Sequence, residues 1–399
     1  MTLSKGTVTR RPEADLLDPE LYRSNPHELW AWMRENEPVY RDERNGLWGV
    51  TRHADVMDVE RRSTVFVSGR GYRAVWSAEE ANMIAQDDPR HRQQRMLVQG
   101  ELTRAAVSRR SAEIDALVEE LVRRCLAQGT FEVVESVAAQ AAARLTTRLL
   151  GFPEEMWPDL KSWSERLMRT DMRERDPAVM AEFYDANREF LAAMAPILQE
   201  RSACPVHDFM SIWVHAEIDG ERLPAPSIFH EVGLFIAGGA ETTRTAISHG
   251  LRAFCDHPDQ WEAMAADPSL VDGAVEEVLR WVTPLNNFFR TAASDDRIGD
   301  QPVREGDRVI MLYPSANRDE KVFADPFRFD ILRSPNPHLS FGFGTHLCVG
   351  ANLARAVLQS VFRQMSAAMT DLVPVTEPDV EANIFARAVR SFTLQVTPR

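Results

Sequence analysis

Cysteine is scarce in this chain. The 399 residues contain four cysteines, at positions 125, 204, 255 and 348, and no two of them form a C-x-x-C pair. Their separations of 79, 51 and 93 positions predict neither a zinc site nor a disulfide framework. Cys125 and Cys255 fall in helical patterns, where we expect them to be small apolar core residues. Cys348 lies among glycines and needs a different explanation.

Long apolar runs, linkers and repeats are also missing. The most apolar internal run, residues 232–240, is too short to span a bilayer, and residues 1–15 are polar and charged, unlike a secretory signal. No Pro/Gly/Ser-rich linker, low-complexity segment or repeat of 20–50 residues divides the chain. We therefore expect one cytosolic domain over residues 1–399, with a flexible N-terminus at 1–15, large enough to enclose a cofactor.

Two further absences restrict the function. The net charge of −14 shows a deficit of basic residues, which argues against nucleic acid as a partner. No G-x-G-x-x-G motif follows a predicted strand, so we expect no flavin or nicotinamide site. A redox reaction in this chain would need electrons from a separate protein.

Most of the sequence has helical periodicity. Strand signals are few and short, and two of them flank a hairpin-type turn at Asn45-Gly46. The fold class predicted is mainly α with small β-sheets (α+β). The clearest helical patterns cover residues 113–126, 137–150, 178–200 and 353–369, and the strand candidates cover 39–41, 47–50, 308–312 and 392–396.

A glycine-rich loop holds Cys348. Residues 341–350 read FGFGTHLCVG and directly precede a helical pattern, so the helix N-terminus favours the thiolate form of the cysteine. Gly342, Gly344 and Gly350 allow the backbone to approach a flat, bulky partner closely. A thiolate in this position suits iron ligation, and a haem–thiolate favours O–O bond cleavage. The alternative is a buried structural cysteine.

A second unusual segment interrupts the long helical pattern of residues 229–254. Gly238 and Gly239 are adjacent there, and each glycine inside a helix costs about 1 kcal/mol relative to alanine. The missing side chains leave room for a ligand, and Thr242 can donate to the carbonyl of Gly238. These features predict a groove beside a hydroxyl and the carboxylate of Glu241. The alternative is a tightly packed core helix that uses small residues.

The spacing Phe-x-x-Gly-x-x-x-Cys-x-Gly over residues 341–350 resembles the signature of the cytochrome P-450 haem-thiolate monooxygenases. The resemblance extends from Asp18-Pro19 to the last strand. It implies the triangular-prism fold of that family, with haem b (iron protoporphyrin IX) between the long central helix and the cysteine loop. It also implies that Cys348 is the axial iron ligand and that Phe341 and Gly238 contact the haem. Glu241 and Thr242 match the acid–alcohol pair that delivers protons during O–O cleavage.

The same resemblance implies roles for several charged residues. His91, Arg95, Arg290 and His346 match positions that bind the haem propionates, with a solvated basic turn as the alternative. Glu277-x-x-Arg280 carries little information as an isolated pattern, because exposed ion pairs of this spacing are common. In the family such a pair forms a buried structural triad with a second arginine. The matching residues are Glu277, Arg280 and Arg328.

Apolar segments at positions that line the substrate pocket in the family predict a hydrophobic ligand. Weaker similarities favour the bacterial branch that oxidises steroid side chains and branched lipids. The expected reaction is hydroxylation of a steroid, terpenoid or branched lipid with dioxygen, using electrons from a ferredoxin and its reductase. A peroxide-driven peroxygenase and a non-catalytic haem-thiolate protein remain as alternatives. The pocket candidates are Val75, Trp76, Ile84, Leu234, Ala237, Leu285, Phe288 and Phe385.

Arginines collect at positions that the resemblance places on the electron-donor face. A basic patch on an acidic protein would steer an acidic ferredoxin, because the local field governs encounter more than net charge does. The alternative is that these arginines only solvate helix faces. The residues are Arg90, Arg92, Arg104, Arg109, Arg110, Arg355 and Arg363.

Overall fold

A computed structural model describes residues 11–24 and 26–399 and is dominated by helices. The four helices predicted from periodicity are confirmed, with ends within three residues of the predicted ones. The helices, numbered in chain order, are α1 (Pro19–Arg23), α2 (His27–Asn36), α3 (His53–Arg61), α4 (Arg90–Gln99), α5 (Arg104–Arg109), α6 (Ser111–Gln128), α7 (Ala139–Leu150), α8 (Trp157–Met168), α9 (Pro177–Ala203), α10 (Phe209–His215), α11 (Ala225–Asp256), α12 (Pro258–Ala266), α13 (Val271–Val282), α14 (Tyr313–Ala316) and α15 (Ala351–Ala368).

The strands form small, separate sheets. The largest has the order β1-β2-β10-β7-β3, in which only the β2–β10 pair is parallel. A second sheet has the order β11-β14-β4, and three further sheets are two-stranded. The strands are β1 (Val39–Asp42), β2 (Leu47–Val50), β3 (Phe66–Val67), β4 (Thr130–Glu132), β5 (Glu217–Ile218), β6 (Glu221–Arg222), β7 (Asn287–Ala292), β8 (Asp296–Ile298), β9 (Gln301–Val303), β10 (Arg308–Leu312), β11 (Met369–Pro374), β12 (Asp379–Val380), β13 (Val389–Ser391) and β14 (Thr393–Pro398).

Helix α11 is the central element, and it runs for 32 residues without a break through the two glycines. Pro226 lies in its first turn, where a missing N–H costs nothing, and the helix stops just before Pro258, which disfavours helical geometry in the residue preceding it. It packs against α7, α8, α13 and α15. Its buried residues, such as Ile247, Leu251 and Phe254, join the main hydrophobic core. This packing holds one face of α11 rigidly beside the cysteine loop.

The predicted flexible N-terminus, residues 1–15, can be checked only from residue 11 onward, where the chain is ordered by contacts. Residues 1–10 of the expected flexible segment lie outside the described residues. From there on the chain is bonded to the β1–β2 hairpin and the end of α2. Arg11 Nε donates to Glu37 Oε1 at 2.9 Å, and the Ala14 N–H donates to Tyr40 Oη at 2.9 Å. No helix in the described ranges combines the length and apolar character of a membrane span.

The buried E-x-x-R pair organises the loop that leads to the cysteine. Glu277 and Arg280 are both 0% exposed, and Arg280 Nη2 donates to Glu277 Oε1 at 2.7 Å. The second arginine was predicted wrongly as Arg328. The Arg328 side chain is exposed, and the residue contributes only its backbone carbonyl, which accepts from Arg280 and Arg333. Arg333 is the partner, because the turn after Phe329 brings its Nε to within 3.2 Å of Glu277 Oε2.

Candidate active site

A cavity of about 660 Å³ separates α11 from the cysteine loop. Most of its wall is apolar, and its polar lining groups include the thiol of Cys348 and the hydroxyl of Thr242. The predicted cofactor-binding residues all line it, so the fold brings together positions that are as much as 257 residues apart in sequence. These residues are His91, Arg95, Gly238, Arg290, Phe341, His346 and Cys348.

The cysteine loop is held in a tight conformation. The Cys348 N–H donates to the Phe341 carbonyl at 2.9 Å, and the Phe341 ring packs under the Arg355 guanidinium at 4.5 Å. Gly342 and Gly344 have φ of +70° and +69°, in the region that favours glycine. A Cβ on Gly344 would lie 2.7 Å from the backbone oxygen of Glu60. The loop therefore rests directly on the end of α3, and its glycines are required by that contact.

Cys348 is exposed to the cavity, and protein atoms surround it on its other sides. Burial raises the pKa of its thiol, although the Gly350 backbone and the Arg95 and Arg355 charges act to lower it. The prediction that the helix N-terminus favours the thiolate therefore accounts for only part of the electrostatics. A bound metal ion deprotonates a coordinating thiol outright, so metal ligation is the chemistry that suits this sulfur.

The opposite wall is formed by α11. Thr242 Oγ1 donates to the Gly238 carbonyl at 2.8 Å, as predicted, and both residues line the cavity. The two glycines have different surroundings. A Cβ on Gly238 would meet nothing within 4 Å, whereas a Cβ on Gly239 would lie 2.7 Å from Thr146 Oγ1 on α7. Gly238 thus leaves space in the cavity, and Gly239 allows two helices to pack closely.

Glu241 does not face the main cavity. Successive residues of a helix point about 100° apart, so the carboxylate lies away from the neighbouring Thr242 hydroxyl. Glu241 Oε2 accepts from Arg244 Nη2 at 2.5 Å, and Glu241 Oε1 accepts from Thr245 Oγ1 at 3.2 Å. Burial raises the pKa of Glu241, and Arg244 opposes that rise. The predicted groove therefore contains the hydroxyl but not the carboxylate.

A chain of charged groups leads from Glu241 to the surface. Arg244 also pairs with Glu165, whose carboxylate lies 3.2 Å from Lys161 Nζ. Lys161 Nζ in turn lies 2.6 Å from the exposed carboxylate of Glu135. These alternating charges connect the interior of α11 with solvent on the side of α8.

Four nitrogen-bearing side chains form one edge of the cavity. The His91 and His346 rings are 4.2 Å apart, and His346 Nε2 lies 3.1 Å from Ser68 Oγ. Burial lowers the pKa of both rings, that of His346 to about 2, so both are neutral near pH 7. Arg95 has no ion-pair partner among residues 11–24 and 26–399. Arg290 has a carboxylate only at 3.9 Å, that of Glu60.

This donor set fits a haem. The cavity presents one sulfur ligand, a flat approach over glycine backbone and two guanidinium groups with unfilled capacity for carboxylates. Two neutral imidazoles beside the guanidinium groups can donate hydrogen bonds to the same carboxylates. A thiolate on one side and two cationic groups at the edge are what an iron porphyrin with two propionates requires.

Six of the eight predicted pocket residues line the cavity: Ile84, Leu234, Ala237, Leu285, Phe288 and Phe385. Val75 and Trp76 do not, and those predictions were wrong. Asp171 holds this segment against the end of α8, because its carboxylate accepts from the Val75 N–H at 3.1 Å and from Arg73 Nε at 3.0 Å. The Trp76 ring lies against Gly71 instead, where a Cβ would come within 2.7 Å of it.

Several lining residues were not predicted. They come from helices whose periodicity indicated ordinary core, and nothing in their local sequence distinguishes a cavity wall from packed interior. The apolar members include Leu145, Leu149, Leu167, Met168, Phe183, Phe190 and Phe229. Glu60 was missed as well, because Glu60-Arg61-Arg62 has the composition of a solvated helix end.

Comparison with known proteins agrees with this geometry. The cytochrome P450 family model matches residues 140–365. The steroid C26-monooxygenase of Mycobacterium tuberculosis H37Rv is 34% identical over 399 residues, covering 98% of this chain and 99% of that protein. The structure of Mycobacterium marinum cytochrome P450 CYP268A2 in complex with pseudoionone has a TM-score of 0.89 at 32% identity, covering 97% of this chain and 100% of that one.

A third similar structure, that of CYP109E1 from Bacillus megaterium in complex with testosterone, has a TM-score of 0.86 at 26% identity and covers 94% of this chain and 99% of that one. The expected fold and family are therefore confirmed. With its haem-thiolate donor set, its apolar cavity and relatives along its whole length, this chain belongs to the cytochrome P450 family of monooxygenases.

Proposed function

We propose that this enzyme hydroxylates the alkyl tail of a steroid or a comparably long terpenoid or branched lipid. The observation that supports this substrate class is the shape and polarity of the cavity along α11. Lining residues of that helix run from Phe229 and His230 to Thr242 and beyond. At 1.5 Å per residue, His230 and Thr242 are about 18 Å apart along the axis.

The two ends of this length differ in chemistry. Around Thr242 the wall is small and apolar, with Ala237, Gly238 and Ala246. Phe190 of α9 stacks on Phe229 at 4.5 Å, and the lining from α9 also includes Tyr184 and Asn187, which can hydrogen-bond to a ring oxygen. A rigid skeleton with one polar end and an alkyl tail would therefore place the tail beside Thr242. The names of the steroid C26-monooxygenase relatives and the testosterone complex support the same substrate class.

In the proposed reaction Cys348 ligates the iron of haem b, and Arg95, Arg290, His91 and His346 hold its propionates. When bound, the haem supplies the reductive activation of dioxygen. The protein's own side chains would hold the substrate beside the haem, exclude water from it and deliver protons to the reaction. Apolar side chains such as Leu234 and Phe288 exclude water from the reacting carbon.

Thr242 and Glu241 divide the handling of protons. Because the Thr242 hydroxyl donates its own proton to Gly238, its lone pairs face the cavity and can accept a hydrogen bond there. Arg244 keeps its own proton and holds the Glu241 carboxylate, and the Arg244–Glu165–Lys161 ion pairs link that carboxylate to the solvent side, where water would supply the proton. Rotation of the Glu241 carboxylate away from Arg244 brings it toward Thr242 and completes the path. A peroxygenase would not need this path, so its presence favours use of dioxygen.

Electrons would come from a ferredoxin and its reductase, docking where α5, which follows α4 in the chain, packs against α15. The side chains of Arg92, Arg104 and Arg109 are exposed and have no ion-pair partner among the described residues. Leu347, next to Cys348, is 44% exposed and offers an apolar contact nearby. Other predicted members of the patch are already paired: Arg355 with Glu276, and Arg363 with Asp115.

The test is a spectral titration of the purified holoprotein with sterol ketones, terpenoids and fatty acids, followed by product analysis with a ferredoxin, its reductase and NADPH. We expect a low-to-high-spin Soret shift with sterol ketones and hydroxylation on the alkyl tail. A clear shift with an unrelated ligand and none across the sterols would contradict the substrate class. Turnover with peroxide alone at the same rate would favour the peroxygenase, and no turnover in any assay would favour a ligand-binding protein.

A further inference from the structure

A buried carboxylate, that of Glu60, faces the cavity beside the predicted propionate site. Glu60 lies at the end of α3 and is 4% exposed, and it lines the cavity together with Tyr313 and Arg290. The cysteine loop lies on it, since a Cβ on Gly342 would come 3.2 Å from Glu60 Oε1. The group is therefore in contact with both the loop that carries the iron ligand and the arginine that would bind a propionate.

The Glu60 carboxylate is poorly compensated. Its Oε1 accepts a hydrogen bond from Tyr313 Oη at 2.6 Å, and Arg290 Nη2 is 3.9 Å away, too far for a hydrogen bond. Its Oε2 is buried and accepts no hydrogen bond within ordinary limits. A buried charge with one short hydrogen bond from a phenol, a weaker contribution from the Phe343 backbone and one distant cation is costly, which favours the protonated acid.

Haem binding would increase this cost. Arg290 has one strong polar contact of its own, from Nη1 to the Phe289 carbonyl at 2.7 Å, and its remaining donors face the carboxylate and the cavity. A propionate and Glu60 would therefore share one guanidinium group. The other cation of this edge, Arg95, can serve only the second propionate, and the two histidines are uncharged near pH 7.

We infer that Glu60 couples proton uptake to reduction of the haem iron. When the iron takes one electron from an external donor, the site gains one negative charge. A carboxylate that shares Arg290 with a propionate then takes one proton from solvent, forming its O–H bond and cancelling that charge. Glu60 is in this sense a positioning residue, which acts on the iron through Arg290 and the propionate.

The surrounding groups leave Glu60 free to titrate alone near neutral pH. Burial raises the pKa of Glu60 to about 7, against the lowering effects of Arg290, Tyr313 and the Phe343 backbone. Burial also raises the pKa of Tyr313 well above its ordinary value, so that phenol stays protonated. His346, on the cysteine loop, has a pKa of about 2 and stays neutral, as does His91 on α4. The adjacent Arg61 packs over the Phe343 ring at 5.5 Å.

The test measures the midpoint potential of the holoprotein by spectroelectrochemistry, from below pH 7 upward, because a propionate beside Arg290 would raise the pKa of Glu60 above the value of about 7 that it has without haem. Reduction strengthens proton binding by a nearby acid, so the potential of the wild type should fall as pH rises through this range. In Glu60→Gln the side chain keeps its shape but cannot titrate, and the slope should disappear. Glu231→Gln is the matched control. Glu231 is another buried acid with a raised pKa, about 8, but it lies outside the cavity lining, so its substitution should leave the slope unchanged.

Tyr313→Phe tests the same arrangement independently. The Tyr313 hydrogen bond stabilises the carboxylate, so its loss should move the sloping range to higher pH, and this result decides the question if Glu60→Gln does not retain haem. A pH-independent potential in the wild type would overturn the inference. A slope that persists in Glu60→Gln would also overturn it by assigning the proton to the propionates, as would an unmoved range in Tyr313→Phe. These measurements need no substrate, so their result does not depend on whether the proposed substrate class is correct.

Discussion

Thr242 and Gly238 are joined by a side-chain hydrogen bond of 2.8 Å across one turn of α11, directly at the cavity wall. The bond orients the hydroxyl of Thr242 without closing off its lone pairs. Because the Gly238 side has open space, the hydroxyl is accessible to a ligand in the cavity. This relationship gives the hydroxyl a defined direction, on which the first prediction depends.

Thr242→Ala should keep substrate binding and reduction but divert electrons into hydrogen peroxide, because the oriented hydroxyl is lost. The measurement is the ratio of product and peroxide formed to NADPH consumed. Thr242→Ser is the control, since it retains a hydroxyl and should retain most of the coupling. Equal coupling in wild type and Thr242→Ala would assign this residue to packing.

Glu241→Gln should slow product formation while leaving the substrate-induced spectral shift unchanged, since the carboxylate lies outside the main cavity. General acid–base steps contribute typically about 10²–10⁴-fold, which sets the scale of the loss. Glu241→Asp should recover part of the rate, because it restores a titratable group. If Glu241→Gln turns over as fast as the wild type, the Glu241–Arg244 pair serves only to stabilise α11.

Cys348→Ser should abolish the thiolate-type absorbance of the ferrous–carbonyl complex and weaken haem retention, because serine cannot supply the sulfur ligand. Cys125→Ala, Cys204→Ser and Cys255→Ala should leave the spectrum intact. Burial raises the pKa of Cys125 and Cys255 to about 12, as expected of inert thiols. Survival of the thiolate spectrum in Cys348→Ser would remove the basis for the whole site.

Arg333→Ala should destabilise the protein by about 1–3 kcal/mol, because it removes one partner from the fully buried Glu277, which keeps its ion pair with Arg280. Arg328→Ala should change the stability by less than about 0.5 kcal/mol, since only the backbone carbonyl of Arg328 takes part. Urea unfolding followed by Soret absorbance measures both. The reverse order of effects would restore Arg328 to the triad.

Replacing Arg104 and Arg109 by Glu should slow the first electron transfer from an acidic ferredoxin at low salt and leave the spin shift intact. The difference should shrink as salt rises, because the screening length falls from about 10 Å at 0.1 M to about 3 Å at 1 M. The control makes the same charge change elsewhere, at Arg44 and Arg188, which are 78% and 73% exposed. Equal rates for both double variants would place docking on another face.

The features of this protein that the sequence predicts correctly are those whose residues lie close together in the chain. The cysteine loop and the hydrogen bond from Thr242 to Gly238 each lie within ten residues, so spacing alone predicts them, whereas the neighbouring Glu241 carboxylate turns away from the cavity to Arg244. The triad failed at Arg328 because Arg328 and Arg333 lie in the same loop, and only the path of that loop decides which side chain reaches Glu277. Val75 and Trp76 failed for a similar reason, since a distant carboxylate, Asp171, determines the course of their segment.

Glu60 shows a different limit of sequence-based prediction. Its neighbours Arg61 and Arg62 are typical of a helix end in water, and no local pattern indicates burial. The carboxylate is buried because the cysteine loop, from almost three hundred residues later, lies across it. Long-range packing alone therefore converts an ordinary charged residue into a buried acid beside the site.

The two adjacent glycines of α11 have a consequence for how this enzyme can change. Gly239 is bound to the fold, since any side chain there would collide with Thr146, whereas Gly238 borders only open space. A side chain at Gly238 would therefore meet the bound haem or substrate before it meets the protein, so its first effect would be on what the cavity can hold. A side chain at Gly239 would instead disturb the packing of α11 on α7. Of the two glycines, Gly238 is therefore the one at which a side chain can change the contents of the cavity without disturbing the contact between α11 and α7.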